Sequence, residues 1–269
     1  MLDLTKNFCQ DKFLKFALID LYNNIQVWKT PDKQFVYEKL SDFLKIPREN
    51  IEIGFGTIDI VDRFLSLFAN TNKTITSIGP YWSGIKWACE KNNLNFDNTN
   101  GDIAYIARPN SRDGQIRDIN FSDYEYVIID EAYGDFCSVS NLKNCIDMKH
   151  VIVTKTFSKS ISSPGLRFAY CSSNEKIISD IRKLSHHYSL NIVAQHLIPK
   201  VFDLINPHVE RMLETKKFIQ SQYRCLPSDA NFVRVLEQPS YNVKLSKIDD
   251  YYRFTLIDLS SLQYIYNDL

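Results

Sequence analysis

The chain carries at its centre the segment Val151-Ile-Val-Thr-Lys-Thr-Phe-Ser-Lys-Ser-Ile-Ser-Ser-Pro-Gly-Leu-Arg-Phe-Ala-Tyr170. It opens with β-branched residues, becomes rich in hydroxyl residues around Lys159, turns at Pro164-Gly165 and returns to apolar residues. This pattern predicts a buried strand, a polar turn that carries Lys159, and a second strand. Because hydroxyl groups surround the lysine and Arg167 follows it, the turn has the donors that bind an anion.

The residues Thr156-Phe-Ser-Lys159 followed by Pro164-Gly-Leu-Arg167 resemble a known segment. It is the pyridoxal-phosphate (PLP) lysine segment of class I and II aminotransferases, the fold-type I enzymes, and particularly of their histidinol-phosphate aminotransferase branch. The resemblance implies that Lys159 forms the Schiff base with PLP. It also implies that Thr156, Ser158 and Arg167 bind the cofactor phosphate, which keeps the aldehyde within reach of the amine. The alternative is a surface lysine in a serine-rich loop.

Composition limits the classes of function. The 269 residues are 44% hydrophobic, enough for one large domain with a smaller appendage. Lys and Arg (32) balance Asp and Glu (32), so no bulk electrostatic partner such as nucleic acid or an acidic membrane is expected. No apolar stretch reaches the roughly 18 residues of a membrane span, and Met1-Leu-Asp-Leu-Thr-Lys6 does not look like a signal peptide. We therefore expect a cytoplasmic protein.

The cysteine and histidine patterns predict neither a disulfide framework nor a metal site. The six cysteines are scattered without a Cys-x-x-Cys pair, which favours free thiols in a chain of this length. His186 and His187 are adjacent, but no third ligand lies at a suitable spacing.

The segment Ile51-Glu-Ile-Gly-Phe-Gly-Thr-Ile-Asp-Ile60 predicts a short strand, a Gly-x-Gly turn and a helix. The amides around Gly56, Thr57 and Ile58 then lie at a helix N-terminus, where unpaired N–H groups and the helix dipole favour phosphate. A lone Gly-x-Gly is weak evidence for any nucleotide. Within the family that the chain resembles, however, Gly56-Thr57-Ile58 matches the first phosphate-binding turn.

Two further turns carry residues that the resemblance assigns to PLP. A strand ending at Ile78 leads into Gly79-Pro80-Tyr81-Trp82, and Trp82 matches the aromatic residue that stacks on the pyridine ring. Alternatively, Tyr81 and Trp82 are plain core residues. After the strand at residues 103–107, the family has Asn-Pro-Asn-Asn-Pro-Thr-Gly, and its last Asn donates to the phenolic oxygen of PLP. The chain has Ser111 there, so either Ser111 donates a weaker bond or Asn110 substitutes for it.

The segment Tyr124-Glu-Tyr-Val-Ile-Ile-Asp-Glu-Ala-Tyr133 predicts an apolar strand that delivers Asp130 at its C-terminal end. Ligands bind at that end of the strands in open α/β sheets. Asp-Glu-Ala-Tyr is the family's form of this motif, so the resemblance pairs Asp130 with the ring nitrogen of PLP and Tyr133 with its phenolic oxygen. The ionised Asp130 would keep the ring protonated as an electron sink. The alternative for a strand-ending Asp is a helix N-cap.

The C-terminal part predicts a long helix over residues 193–220, interrupted at Asn206-Pro207, and then two strands over residues 231–236 and 252–257. Arg253-Phe-Thr255 matches the strand whose Arg grips the substrate carboxylate in the family. Alternatively, Arg253 is a salt-bridged arginine at a strand edge. The segment before Arg253 is shorter than in the family, which leaves only Lys244 and Lys247 as candidate ligands for a substrate phosphate.

We therefore predict an α/β protein with the PLP-dependent transferase fold. It has an N-terminal arm (residues 1–30), a three-layer large domain with a mainly parallel sheet (residues 31–190) and a reduced α+β C-terminal domain (residues 191–269). The resemblance implies a homodimer, in which the arm crosses to the partner, and transamination between a small-molecule amino donor and a keto acceptor. Decarboxylation of a phosphorylated amino acid, or a non-catalytic scaffold, are the alternatives.

Overall fold

The computed structural model describes residues 2–3, 25, 29–187, 189–239 and 243–262. Two main sheets contain most of the strands, and the remaining two strands pair with each other. The strands are β1 (Leu2–Asp3), β2 (Ile51–Gly54), β3 (Thr74–Ser77), β4 (Asn95–Phe96), β5 (Ile103–Ala107), β6 (Tyr126–Asp130), β7 (Val151–Thr156), β8 (Ala169–Ser172), β9 (Cys225–Leu226), β10 (Phe232–Val235), β11 (Val243–Lys244), β12 (Ser246–Ile248) and β13 (Tyr251–Thr255).

The larger sheet has seven strands in the order β2-β8-β7-β6-β5-β3-β4. The strands from β7 to β4 pair in parallel, whereas β8 is antiparallel to both of its neighbours. Every residue of β5 and β7 is buried. Strands covered on both faces are typically continuous apolar runs, which is why these segments alternate so little in the sequence.

Helices cover both faces of the larger sheet. They are α1 (Lys33–Leu44), α2 (Thr57–Ser66), α3 (Ser83–Lys91), α4 (Phe157–Ser160), α5 (Glu175–Lys183) and α6 (Ile192–Gln222). One apolar cluster joins the sheet to α1 and α6, and a second joins its other face to α2, α3 and α5. Short 3-10 turns occur at Arg48–Asn50, Phe121–Asp123, Gly134–Phe136, Asn144–Asp147 and Pro164–Leu166. The predicted three-layer α/β fold is therefore confirmed.

Helix α6 corrects one prediction. It runs without interruption from Ile192 to Gln222, with Pro199 and Pro207 inside it, so the break predicted at Asn206-Pro207 is wrong. A proline within a helix removes one hydrogen bond and costs roughly 3 kcal/mol. The buried face of α6 offsets that cost, because residues such as Leu197, Val201 and Met212 pack into the core between the sheet and α1.

The second sheet has four antiparallel strands in the order β12-β13-β10-β9. It contains both strands that the sequence predicts in the C-terminal part. Arg253 is paired with Arg234 on β10 and with Ser246 on β12, so these three residues lie on one face. Lys247 is paired with Tyr252 on the opposite face. The domain boundaries at residues 30 and 190 remain predictions.

Most of the predicted N-terminal arm lies outside the described residues. Its described part includes β1, which pairs in parallel with β11. No helix in the described ranges combines the length and the apolar character needed to cross a membrane. The five cysteines among the described residues, Cys89, Cys137, Cys145, Cys171 and Cys225, are free thiols.

Candidate active site

A cavity of about 180 Å³ opens where the parallel strands of the larger sheet end. Ligands bind at this edge in open α/β sheets. Eleven of the thirteen residues predicted for the site line the cavity, and the exceptions are Asn110 and Arg253. The lining residues are Gly56, Thr57, Ile58, Trp82, Ser111, Asp130, Ala132, Tyr133, Thr156, Ser158, Lys159, Pro164 and Arg167.

Gly56 and Arg167 form one end of the cavity and lie against each other. Gly56 has φ +87°, and a Cβ placed on it would lie 2.1 Å from Arg167 Nη2, so only glycine fits there. The β2–β8 register pairs Gly54 with Ala169, so Gly56 and Arg167 face each other just beyond the last pair. Because Gly56 also caps the N-terminus of α2, a guanidinium and the α2 amides converge on one place.

Two hydroxyl residues extend this end of the cavity. Thr156 caps the one-turn helix α4: its Oγ1 accepts from Ser158 N at 3.1 Å and donates to Phe168 O at 2.9 Å. The Thr156 and Ser158 hydroxyl oxygens are 3.0 Å apart. The polar turn predicted around Lys159 is thus a capped helical turn, and its two hydroxyl groups lie in the same cavity as Arg167.

Asp130 lies at the C-terminal end of β6 and is buried. Its Oδ2 accepts from the hydroxyl of Tyr105 at 2.9 Å, and its Oδ1 accepts from Ala132 N at 3.0 Å. Burial raises the pKa of Asp130, although these two hydrogen bonds and the nearby Lys159 ammonium oppose the shift. The carboxylate is thus fixed in orientation, and a cationic partner within the cavity would favour its ionised form.

Lys159 reaches the cavity from α4. Its Nζ lies 5.4 Å from the centroid of the Tyr133 ring. The Tyr133 ring meets Phe232 edge to face at 6.4 Å, and the guanidinium of Arg253 lies 5.9 Å from the centroid of that phenylalanine ring. Arg253 therefore lies close to the Phe232 ring but does not line the cavity.

The same segment contains a second lysine with a different environment. Lys155 is buried in β7, and its Nζ donates to Asp135 Oδ1 at 2.6 Å. That ion pair raises the pKa of Lys155 despite its burial. Lys155 does not line the cavity, so of these two lysines only Lys159 is placed to react there.

Trp82 and Tyr81 have separate surroundings. The indole of Trp82 lines the cavity, and a Cβ on Gly84 would lie 2.3 Å from it, so Gly84 makes room for the ring. Tyr81 instead packs edge to face on Phe96 at 4.9 Å. Of these two aromatic residues, Trp82 therefore lines the cavity, as the resemblance requires, and Tyr81 does not.

Asn110 and Ser111 also separate. Asn110 is buried, its Nδ2 donates to Pro80 O at 2.5 Å, and its Oδ1 accepts from Arg112 N at 2.9 Å. Its amide is therefore engaged by Pro80 and by the backbone of its own turn, whereas Ser111 lines the cavity. Of the two, Ser111 is the one positioned to contact a ligand.

Tyr105 is the residue of this site that the sequence interpretation missed. It is fully buried on β5, and the β5–β6 register places it diagonally opposite Asp130 on the same face of the sheet. The available signal was a phenol within the otherwise apolar run Ile103-Ala-Tyr-Ile-Ala107, because a buried hydroxyl needs a partner. The sequence does not show which partner it finds.

The arrangement fits PLP. A cradle of amides, hydroxyls and Arg167 at one end suits a phosphate, and the close approach of Arg167 to Gly56 leaves no room there for a side chain. A flat indole wall suits a pyridine ring, and the buried Asp130 carboxylate suits its nitrogen. The site therefore offers donors for the phosphate of PLP, a flat wall for its ring and, in Lys159, an amine that can react with its aldehyde.

Comparison with known proteins gives the same assignment. The family model "Aminotransferase class I and II" matches residues 115–229. The histidinol-phosphate aminotransferase of Pyrococcus furiosus is 23% identical over 236 residues, which cover 78% of this chain and 70% of that protein. The corresponding enzyme of Christiangramia forsetii is 26% identical over 250 residues, covering 79% and 71%.

Solved structures share the fold. Histidinol-phosphate aminotransferase from Sinorhizobium meliloti, in complex with pyridoxal-5'-phosphate, aligns with a TM-score of 0.79 at 16% identity, over 98% of this chain and 88% of that one. The L-threonine-O-3-phosphate decarboxylase of Porphyromonas gingivalis aligns with a TM-score of 0.76 at 16% identity, over 99% and 98%. Together, these findings show that the chain has the fold of the PLP-dependent fold-type I enzymes and is similar in sequence to the class I and II aminotransferases.

Proposed function

We propose that the protein transfers an amino group between an amino acid, or an amino-alcohol phosphate, and a keto acid, and that Lys159 is its catalytic lysine. One observation carries this proposal: Lys159, Asp130 and Arg167 line a single cavity. A fold alone needs none of these three side chains at a ligand-sized cavity. They supply an amine, a carboxylate and a phosphate ligand, which are the groups that PLP chemistry requires.

When bound, PLP supplies an electron sink that makes the α-proton of an amino acid acidic. The amides at Gly56, Thr57 and Ile58, with the side chains of Thr156, Ser158 and Arg167, would hold the phosphate. Trp82 would lie against the ring, while Ser111 and Tyr133 would donate to the phenolic oxygen. The buried Asp130 carboxylate would accept from the ring nitrogen and so favour a proton on that atom.

Lys159 is the attachment point for the cofactor and the general base. Once the substrate amine has displaced it from the cofactor, Nζ would take the proton from the substrate Cα and would return the same proton to the cofactor carbon that receives the amino group. Arg253 would bind the substrate carboxylate with two parallel hydrogen bonds, a role that rests on the match of Arg253-Phe-Thr255 to the family strand, because Arg253 does not itself line the cavity.

The test is to bind PLP to the purified protein, reduce it with borohydride and map the modified peptide. We expect a yellow protein whose reduced cofactor is attached to Lys159. A matched comparison is Lys155→Ala, which removes the second lysine and leaves the attachment intact, whereas Lys159→Ala abolishes it without loss of the fold. Attachment elsewhere, or a colourless protein, would refute the assignment and favour a non-catalytic scaffold.

An amino-acid donor with and without a keto acid then identifies the reaction. Transamination stops after one turnover unless a keto acceptor is supplied. Decarboxylation of a phosphorylated amino acid would use the same residues but would need no second substrate. Turnover that is independent of a keto acid would therefore refute the proposed transfer.

We also propose that the enzyme works in the cytoplasm as a homodimer, as the resemblance implies. The free state of the five described cysteines is in keeping with a reducing compartment. An exposed aromatic ring beside the cavity supports the dimer, because a partner subunit could cover it. Phe55, at the cavity end formed by Gly56 and Arg167, is 44% exposed, and the Arg167 guanidinium lies 6.0 Å from the centroid of its ring. Sedimentation equilibrium of the full chain tests the dimer, and a monomer at micromolar concentration would contradict it.

A further inference from the structure

The loop of residues 108–117, here called the Ser111 loop, runs from β5 into the cavity and then passes between the two sheets. On the side of the larger sheet it is fixed by Asn110, whose side chain donates to Pro80 O. Gly114 N donates to Asn110 O at 2.9 Å, and Asn110 N donates to Gln115 O at 2.9 Å. This anchor closes the base of the loop, and Ser111 follows it directly in the chain.

The other side of the Ser111 loop is held by side chains of the second sheet. The hydroxyl of Tyr251 donates to the carbonyl of Arg112, and Tyr251 is itself buried. Arg234 Nη1 donates to Asp113 O at 3.0 Å and also to Pro227 O at 3.1 Å. The two carbonyls that follow Ser111 in the chain are therefore both bound by residues of the second sheet.

The contact between the Ser111 loop and the second sheet, here called the seam, continues past these two hydrogen bonds. Asp229 N donates to Gly114 O at 2.8 Å, and Gln115 Nε2 donates to Pro227 O at 2.8 Å. Gly114 has φ +67°, and a Cβ on it would lie 2.2 Å from Ser228 Oγ. The loop and the segment before β10 are thus in close contact, with no space for one extra carbon atom.

Tyr251 and Arg234 act from one face of the sheet. Arg234 is paired directly with Arg253 across β10 and β13, and Tyr251 lies two residues before Arg253 on the same strand. The Arg234 guanidinium stacks 4.7 Å from the centroid of the Tyr251 ring. The face that carries the proposed substrate ligand Arg253 therefore also holds the Ser111 loop.

We propose that Tyr251 and Arg234 are positioning residues that hold Ser111 against the cofactor by fixing the two carbonyls after it. The proposal rests on the function proposed above, in which Ser111 donates to the phenolic oxygen. A serine hydroxyl is shorter than the asparagine amide of the family, so its reach depends more strongly on where the backbone lies. Since hydrogen bonds weaken steeply with distance and angle, a small displacement of the loop removes this donor.

The first test uses the cofactor-free protein and measures amide hydrogen exchange over residues 110–117. In Tyr251→Phe we expect exchange about threefold to tenfold faster than in the wild type, the factor that the loss of one hydrogen bond implies. Arg234→Met loses the bonds to both Asp113 O and Pro227 O, so we expect an increase at least as large. Tyr252→Phe is the matched control, because Tyr252 lies on the opposite face beside Lys247. Gly114→Ala should also speed exchange, because its added Cβ would clash with Ser228 and push the loop away from the segment before β10. Unchanged exchange in all three would overturn the proposal.

The second test asks whether Tyr251 acts through Ser111. A lost donor to an anionic oxygen disfavours the anion. We therefore expect Ser111→Ala to shift the pH midpoint of the visible absorption of bound PLP upward, and Tyr251→Phe to shift it in the same direction. In the double variant the shift should not exceed that of Ser111→Ala alone. Additive shifts would refute action through Ser111. Failure of the wild type to bind PLP would refute the proposed function, while the exchange experiment would still decide whether the sheet holds the loop.

Discussion

Tyr105→Phe isolates one buried hydrogen bond at the centre of the site. Tyr105 is fully buried, so phenylalanine fills the same space and the substitution removes only the hydroxyl that donates to Asp130 Oδ2 at 2.9 Å. Asp130 keeps the bond from Ala132 N on its other oxygen. A hydrogen bond to a charged group contributes about 1.5–3 kcal/mol, so we expect the free energy of unfolding of the cofactor-free variant to fall by that amount at pH values above the raised pKa of Asp130.

The penalty depends on pH in a defined direction. Loss of a donor that favours the carboxylate raises the pKa of Asp130 further above its ordinary value. The variant's loss in free energy of unfolding is therefore largest where Asp130 is ionised in both proteins. This loss becomes smaller as the pH falls through the pKa of Asp130. Urea denaturation of both proteins at neutral and at acidic pH measures this difference.

Tyr126→Phe is the matched control for this experiment. Tyr126 opens the strand that ends at Asp130, and its ring packs against Phe64 and Phe68 rather than facing the cavity. A loss in Tyr105→Phe no larger than in the control, or a loss that does not change with pH, would refute the view that the Tyr105 hydroxyl supports the Asp130 carboxylate.

Three further predictions concern the cofactor and substrate ligands. Gly56→Ala should weaken PLP affinity about tenfold or more, because its Cβ displaces the Arg167 guanidinium, whereas Gly165→Ala, with no atom within 4 Å of the added carbon, should match the wild type in a cofactor titration. Asp130→Asn should become more stable than the wild type, both free of cofactor, as the pH rises from the ordinary carboxyl pKa through the raised pKa of Asp130, because the wild type then buries a charge and the variant does not; an unchanged stability difference across that pH range would count against this. Arg253→Lys should raise KM for amino-acid substrates about tenfold to a hundredfold with the spectrum of bound PLP unchanged, since a lysine lacks the two-pronged contact; a changed spectrum would show that the residue acts on the cofactor instead.

The part of the site that the sequence predicted lies on short segments with strong local signals. Gly56 requires positive φ, Asp130 ends a run of β-branched residues, and Lys159 lies in a hydroxyl-rich turn. Each of these features is encoded within a few residues, and the topology of a parallel sheet then brings strand ends together at one edge. Local pattern and topology predicted the strand ends and turns, while the family resemblance selected the residues within them, and eleven of those residues line one cavity.

The residues that the sequence did not predict depend on contacts between distant segments. Tyr105 finds its partner one strand away, and Tyr251 contacts the carbonyl of Arg112, which is 139 positions earlier in the chain. No local pattern encodes such a pairing. Pro207 is the converse case, because its local signal for a helix break is overridden by the packing of the buried face of α6.

The meeting of Gly56 and Arg167 beyond the last pair of β2 and β8 has a thermodynamic consequence. Within the part of the chain that the structure describes, β2 is an edge strand of the larger sheet and pairs with β8 alone, and Gly56 and Arg167 lie on the two strands just beyond that ladder. A ligand that bridges them can bind only while that ladder is formed, so its binding free energy adds to the free energy of opening β2 from the sheet. At a cofactor concentration of 100 times Kd this linkage amounts to about 2.7 kcal/mol. The edge strand of the holoenzyme should therefore open about a hundredfold less often than that of the cofactor-free protein.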